Sequence, residues 1–307
     1  MKKVAVYSII IASAIAVGAT AGIIIKRFIV APDQTIIGFN ADACKPDGDA
    51  LIKKFNAAKN PRNELEPYEL VLYSQEMYKR AENSVSYCYG LANAVAVGLN
   101  VVQDVRSAQV KIGNKFYEEQ VSKSSQVAVS KRMYLDGKEN NTRLYKEKDG
   151  GKYVEITQER TTSQYELQKD CTPEQYKEMY GRQLPDMFIY IIHSTTIDSQ
   201  KINDIEGGYQ IDLTLKPAQG GYNYRYQMVS VSDLEGLPSF QAINLSYKLS
   251  TDYRLISMNS DEQFIAAKMG FNADTHNQLE YKYFQDKEYK IPDLDEDFDY
   301  KTLKEAN

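Results

Sequence analysis

Residues 85–101 read VSYCYGLANAVAVGLNV, and the way this stretch folds decides the fold of the chain. Its odd positions are Val85, Tyr87, Tyr89, Leu91, Asn93, Val95, Val97, Leu99 and Val101. The even positions between them are Ser86, Cys88, Gly90, Ala92, Ala94, Ala96, Gly98 and Asn100. One set is large and apolar except at Asn93; the other is almost entirely small. A period of two marks a strand, because successive side chains leave a pleated backbone on opposite faces. The pattern predicts one long strand, bent at Gly90 or Gly98. A helix competes over residues 91–102, where Leu91, Val95, Leu99 and Val102 fall at helical spacing and alanines favour helix. The small set (Ser86, Cys88, Gly90, Ala92, Ala94, Ala96 and Gly98) would line a shallow groove, filled either by a ligand or by a packed helix.

Before this stretch the period is helical. Residues 47–59 place Leu51, Phe55 and Ala58 on one face, and residues 64–81 bring Tyr68, Leu70, Val71, Met77 and Tyr78 to near-helical spacing. Pro67 suits a first turn. After it, strand patterns alternate with turn signals. Residues 108–112 lead through Gly113-Asn114 into 116–121, and residues 127–134 lead through Asp136-Gly137 into 143–146. Asp-Gly between alternating runs is a strong hairpin signal. Gly150-Gly151 ends this meander.

Residues 164–192 read as a return to helix, with Thr172 as a cap, Pro173 at the first position and Leu184-Pro185-Asp186 opening an apolar run to Ile192. The last part is again β. Residues 209–215 alternate after Gly207-Gly208, and residues 222–228 alternate after Gly220-Gly221. Residues 243–249, 264–271 and 279–283 complete the set. Tyr222, Tyr224 and Tyr226 would form a stripe on one strand face, suited either to partner contact or to a half-buried sheet. Clean alternation argues for an antiparallel sheet with one face covered and one wet.

The N-terminus bears on location. Lys2 and Lys3 precede an apolar run from Val4 to Ile25, closed by Lys26 and Arg27. About 20 such residues cross a bilayer as one helix. Ala19-Thr20-Ala21 would serve a signal peptidase, but the run continues through Ile23–Ile25 and stops at cations, as a retained span does. The short tail favours an N-terminus inside and residues 28–307 outside the cytoplasm. Ala14, Gly18 and Gly22 lie four apart, a helix face through which two spans could dimerise.

Composition narrows the classes. A net charge of −5 argues against nucleic acid, which needs a basic face. The three cysteines, Cys44, Cys88 and Cys171, stand far apart, so no zinc cluster or CxxC pair is present, and at most one bridge can form. With two histidines, His193 and His276, His-based metal sites have little material. No nucleophile elbow or phosphate loop appears. The acidic run Asp293, Asp295, Glu296, Asp297 and Asp299 lacks the central glycine of an EF-hand loop and reads as a solvated tail.

Two β meanders separated by helices, behind a membrane segment, resemble the convex half-barrel of LolA/LppX-like envelope proteins. The residues that carry the resemblance are the long strand at 85–101, the helical interlude 172–192, and the terminal strands 240–250, 262–271 and 278–285 before Lys290-Ile291-Pro292. The resemblance covers residues 47–292. It implies a hollow between sheet and helices that carries a lipid or another apolar ligand. The chain departs from it in lacking a lipobox cysteine, with a helix anchor in its place, which argues against a free shuttle. The chain also resembles uncharacterised membrane-anchored extracytoplasmic proteins of Gram-positive bacteria.

The expectation is therefore an α+β protein: an anchor at 1–27, a tether at 28–46, a mainly antiparallel β domain at 47–292 with helices packed on its sheet, and a tail at 293–307. The expected role is non-enzymatic binding of a lipid or apolar ligand at the cell envelope, with no cofactor and no metal. The alternatives are a structural or interaction module with a filled core and an envelope enzyme without a recognisable motif.

Overall fold

A computed structural model describes residues 36, 38–96, 99–113, 115–124, 128–135, 142–147, 165–171, 188–231, 237–265 and 272–284. The anchor positions Ala14, Gly18 and Gly22, the turns at Asp136-Gly137 and Gly150-Gly151, residues 172–187 and the acidic tail lie outside these residues. Among the described residues no helix is long and apolar enough to cross a membrane.

Among the described residues eleven antiparallel strands form one open sheet in the order β6-β5-β4-β3-β2-β1-β11-β10-β9-β8-β7. The strands are β1 (Asn83–Ala96), β2 (Leu99–Ile112), β3 (Lys115–Ser124), β4 (Ala128–Leu135), β5 (Thr142–Glu147) and β6 (Tyr165–Cys171) in a first meander. A second meander holds β7 (Ile197–Ile205), β8 (Gly208–Leu215), β9 (Ser239–Ser250), β10 (Leu255–Ile265) and β11 (Asn272–Tyr283). The two meanders join where β1 pairs with β11, Ser84 opposite Tyr283 and Val95 opposite Asn272.

The deciding stretch is strand, not helix, but it is two strands. The backbone reverses between Ala96 and Leu99, which face each other in the register. A two-residue connection preserves the sequence alternation while exchanging the faces, so the single long strand expected from the pattern is corrected to a hairpin. On β1 the positions facing the core are even (Ser84, Ser86, Cys88 and Ala92); on β2 they are odd, Gln109 opposite Ser86 and Ser107 opposite Cys88.

Helices α1 (Gly48–Ala57), α2 (Pro61–Glu64) and α3 (Pro67–Arg80) precede the sheet. Asp47 caps α1 by accepting from the Ala50 amide at 3.0 Å. Pro67 begins α3 as the sequence predicts, and the Glu66 amide donates to Glu69 Oε2 at 3.1 Å. Phe55 of α1 stacks on Tyr73 of α3, with ring centroids 3.6 Å apart. The edge strand β7 does not stand open. Arg62 donates to the Ile202 carbonyl and pairs with Asp204, and Gln200 bonds Glu66 and the Tyr68 amide. Covering an edge in this way blunts unwanted strand pairing.

Four further expectations are corrected. Residues 165–171 form β6, not helix, and residues 188–192, for which a helix or strand is expected, form neither. That apolar run crosses the sheet's inner side with Ile189, Tyr190, Ile191 and Ile192 all buried, so burial rather than period fixes its course. Of the strand expected at 264–271, Phe264 and Ile265 end β10, which begins earlier at Leu255, and residues 266–271 lie outside the described residues. Residues 222–228 are helical: Pro217 opens α4 (Pro217–Gly220), and α5 (Tyr222–Val231) follows, so Gly220-Gly221 joins two helices rather than turning a hairpin. Tyr224 and Met228 are buried while Tyr226 between them is exposed, which a helix achieves and a strand, with all three on one face, does not.

The core lies on the helix-bearing face of seven strands, β2 to β7 in sheet order. On β8 and β9 it is made by Ile211, Leu213, Leu215, Ile243, Leu245, Tyr247 and Leu249. Gly208 closes the β7–β8 hairpin at a φ of 157°, where an added Cβ would sit 1.9 Å from the Leu249 carbonyl oxygen.

Candidate functional site

The small side of β1 faces inward. Ser86, Cys88, Gly90 and Ala92 are buried, while Tyr89 and Leu91 on the opposite face are 53% and 51% exposed. The larger residues thus face outward here, the reverse of an ordinary half-buried strand. Ala94 and Ala96 continue β1; their side chains, and Gly98, lie outside the described residues. Across the register, Ser86 faces Tyr281, Cys88 faces Leu279, Gly90 faces Asn277 and Ala92 faces Thr275.

This β1–β11 seam is rich in buried polar groups. Tyr78, reaching down from the last turn of α3, meets Tyr281 and Tyr283 edge-on at 5.0 and 5.4 Å. Its hydroxyl sits beside Ser84 and Ser86, yet burial dominates and pushes the phenol well up. The Tyr281 hydroxyl is buried without a hydrogen-bond partner; those of Tyr78, Ser84 and Tyr283 also make no well-formed bond, with Tyr78 lying close to Ser84 and Ser86 and Tyr283 close to the Leu255 backbone. Burial likewise drives the Tyr281 phenol well above its ordinary range, and pushes the Cys88 thiol up to about 12. A thiol in that state is not a nucleophile at neutral pH.

Asn277 lies next along the seam. Its Nδ2 donates to Ser260 Oγ on β10 at 3.1 Å, while Oδ1 is buried and unpartnered. Asn277 stands opposite Gly90 in the β1–β11 register, so this unpartnered end lies at the seam. If the amide is assigned the other way round, the orphan is a donor in the same place.

One register step further is Glu262, a buried carboxyl on β10. It accepts from Thr275 Oγ1 at 2.7 Å, from Ser260 Oγ at 3.1 Å and from the Tyr190 hydroxyl in a short contact. Burial raises its pKa, and the hydroxyls of Tyr190, Thr275 and Ser260 oppose the rise. Tyr190 belongs to the crossing segment and packs against Tyr224 at 5.9 Å; burial and then the Glu262 charge hold its phenol high. The carboxyl thus ties residues 188–192 to the sheet. A carboxyl with its oxygens so engaged is a structural tie and not a free general base.

Tyr222, Tyr224 and Tyr226 do not share a face. Tyr222 and Tyr226 pack together at 5.1 Å with tilted rings on one side of α5, while Tyr224 enters the core. Cys88 and Cys171 sit in strands separated by four others. At about 4.8 Å per strand that separation far exceeds the reach of a disulfide. Cys44, a buried free thiol, lies 3.8 Å from Thr195 Oγ1. Among the described residues no three His, Cys, Asp or Glu side chains group as metal ligands.

Sequence reading located the small side of β1 and the inward positions Leu279 and Tyr281. It missed Glu262, Tyr190 and Asn277. The parity of Met258, Ser260, Glu262 and Phe264 carries a signal, since one phase of β10 holds both apolar residues and the acid. A charged residue on that phase reads as solvent-facing until its partners are known.

No protein-family model matches the sequence, and no curated protein does. Solved structures give faint likenesses. Rv2717c from M. tuberculosis aligns at 9% identity over 64% of this chain and 91% of its own, with a TM-score of 0.22. A DUF1329 family protein from Desulfovibrio piger aligns at 9% identity over 70% and 90%, with a TM-score of 0.21. MucB, solved in complex with MucA(peri), aligns at 7% identity over 71% and 94%, with a TM-score of 0.12. Scores this low carry no weight for function.

Proposed function

We propose that this chain is a membrane-anchored extracytoplasmic binding protein that takes an apolar or amphipathic ligand against the inner face of its sheet, without doing chemistry on it. Residues 1–27 are the anchor, with Ala14, Gly18 and Gly22 as the contact of an anchor dimer, and the sheet curves as a half-barrel around the ligand. The observation that supports binding at this place is the Asn277 amide, buried beside Gly90 on the small side of β1 with one end unpartnered. Interiors seldom leave such groups unpaired, and each one calls for a physical cause.

A second reading, a structural module with a filled core, draws on the burial of the same strand beneath Tyr78. Photocrosslinking separates the two. The full chain is placed in nanodiscs that hold both a diazirine-tailed diacylglycerol and a diazirine-tailed phosphatidic acid, and labelled peptides are mapped. Label on β1, β11 or α3 is the expected result. Label confined to residues 1–27 overturns the binding reading in favour of the filled module.

A further inference from the structure

On the core-facing side, five buried polar groups among the described residues gather in one place. Tyr78, Ser84, Tyr281, Tyr283 and Asn277 all lie on or over the β1–β11 seam, and β8 and β9 contribute none. Ser84 and Tyr283 share one register position, Ser86 and Tyr281 the next on that face, and Gly90 and Asn277 a third further along. Six residues of β1 separate the first and third, a span of about 20 Å. The groups are hydroxyls, which donate and accept, and an amide end.

Charge is scarce at the seam, and what there is has partners. Lys111, opposite Ser84, donates to the Lys79 carbonyl at 2.6 Å and so closes the end of α3. Arg254 lies over the Tyr283 ring and pairs with Asp252 at 3.0 Å. Glu262, one step beyond Asn277, already accepts three hydroxyls. The phenols of Tyr78 and Tyr281 are held neutral by burial. An ionised group brought here would give up its hydration without a cation or carboxylate free to replace it, a large cost. A neutral ester or hydroxyl would give up far less, and would supply the bonds that these hydroxyls and the amide lack.

Resting on the binding reading above, we infer that the seam recognises an uncharged, hydroxyl- and ester-bearing amphiphile of the acylglycerol class, and discriminates against phosphate-bearing lipids. Tyr281 and Ser84 donate to ester carbonyls, and Asn277 meets a hydroxyl. The apolar chain follows Cys88 and Ala92. Access runs past Tyr78, whose ring covers Tyr281 and Tyr283, so binding displaces the last turn of α3.

The test uses the full chain in phosphatidylcholine nanodiscs with the two diazirine-tailed probes supplied one at a time. Diacylglycerol is expected to label β1 and β11 about tenfold more than phosphatidic acid, the discrimination that one or two hydrogen bonds supply. Tyr281→Phe is expected to raise the melting temperature of the probe-free protein while lowering diacylglycerol labelling. A tyrosine that only packs the core would not move these two readouts in opposite directions. Equal or stronger labelling by phosphatidic acid overturns the headgroup assignment and leaves the binding reading standing. Undiminished labelling of Tyr281→Phe does the same. Label absent from β1, β11 and α3 with both probes overturns both readings.

Discussion

β8 and β9 meet the interior with Ile211, Leu213, Leu215, Ile243, Leu245, Tyr247 and Leu249; β1 and β11 meet it with Ser84, Ser86, Cys88, Thr275, Asn277, Leu279 and Tyr281. The backbone is the same antiparallel ladder in both regions, and the burial is as complete. Only the side chains differ. On β8 and β9 each buried aliphatic side chain contributes about 1.5–3 kcal/mol. On the seam each unpartnered polar atom costs about 1–3 kcal/mol. One region supplies stability and the other draws on it. A region that persists against its own cost is where function is to be sought.

The contrast can be broken most severely from the apolar side. Ile243→Ala removes a fully buried side chain between β8 and β10, and the expected loss is about 2–5 kcal/mol, read by urea denaturation of the domain transition. A loss below about 1 kcal/mol would mean that β9 collapses around the change and that the region is not the source of stability claimed here.

A smaller effect sharpens the polar side. The Glu262 carboxyl binds its proton more tightly in the folded chain than at its ordinary value of 4.5, because burial disfavours the charge. Its contribution is therefore fully present below about pH 4.5 and is lost as pH rises through the folded value. Glu262→Gln removes that dependence. The melting temperature of the parent is expected to fall relative to the variant as pH is raised from 4 toward 8; parallel curves would contradict it.

Smallest is Ser84→Ala. The hydroxyl it removes is buried and unpartnered, so the variant is expected to gain about 1 kcal/mol where most substitutions lose stability. A loss of similar size would show that Ser84 is bonded in solution.

The two regions also differ in how far the sequence exposes them. β8, β9 and β11 have a wet outer face, so polar residues alternate with apolar ones and the strands are plain to read. The β1–β2 hairpin hides its turn, because the chain reverses between Ala96 and Leu99 with no break in the sequence alternation. Residues 222–228 alternate aromatic and polar residues too, yet form α5, since seven residues come near both periods and only the exposure of Tyr226 between buried Tyr224 and Met228 decides between them. The small side of β1 is legible as a run of small residues. Its polar neighbours are not, because Asn277 and Glu262 gain their meaning from register with Gly90 and Thr275 on other strands, a relation that no local pattern encodes.

The pairing of β1 with β11 also has a kinetic consequence. Every other ladder joins neighbours in sequence, but Ser84 must find Tyr283 across nearly the whole domain. Loop closure over such a distance is slow, and contacts of this separation govern folding rate. During synthesis the first meander has no partner for β1 until β11 has been made. Closing the seam therefore waits on both meanders, and until it closes the β1 edge is a row of unpaired backbone groups, the kind of edge that invites another strand.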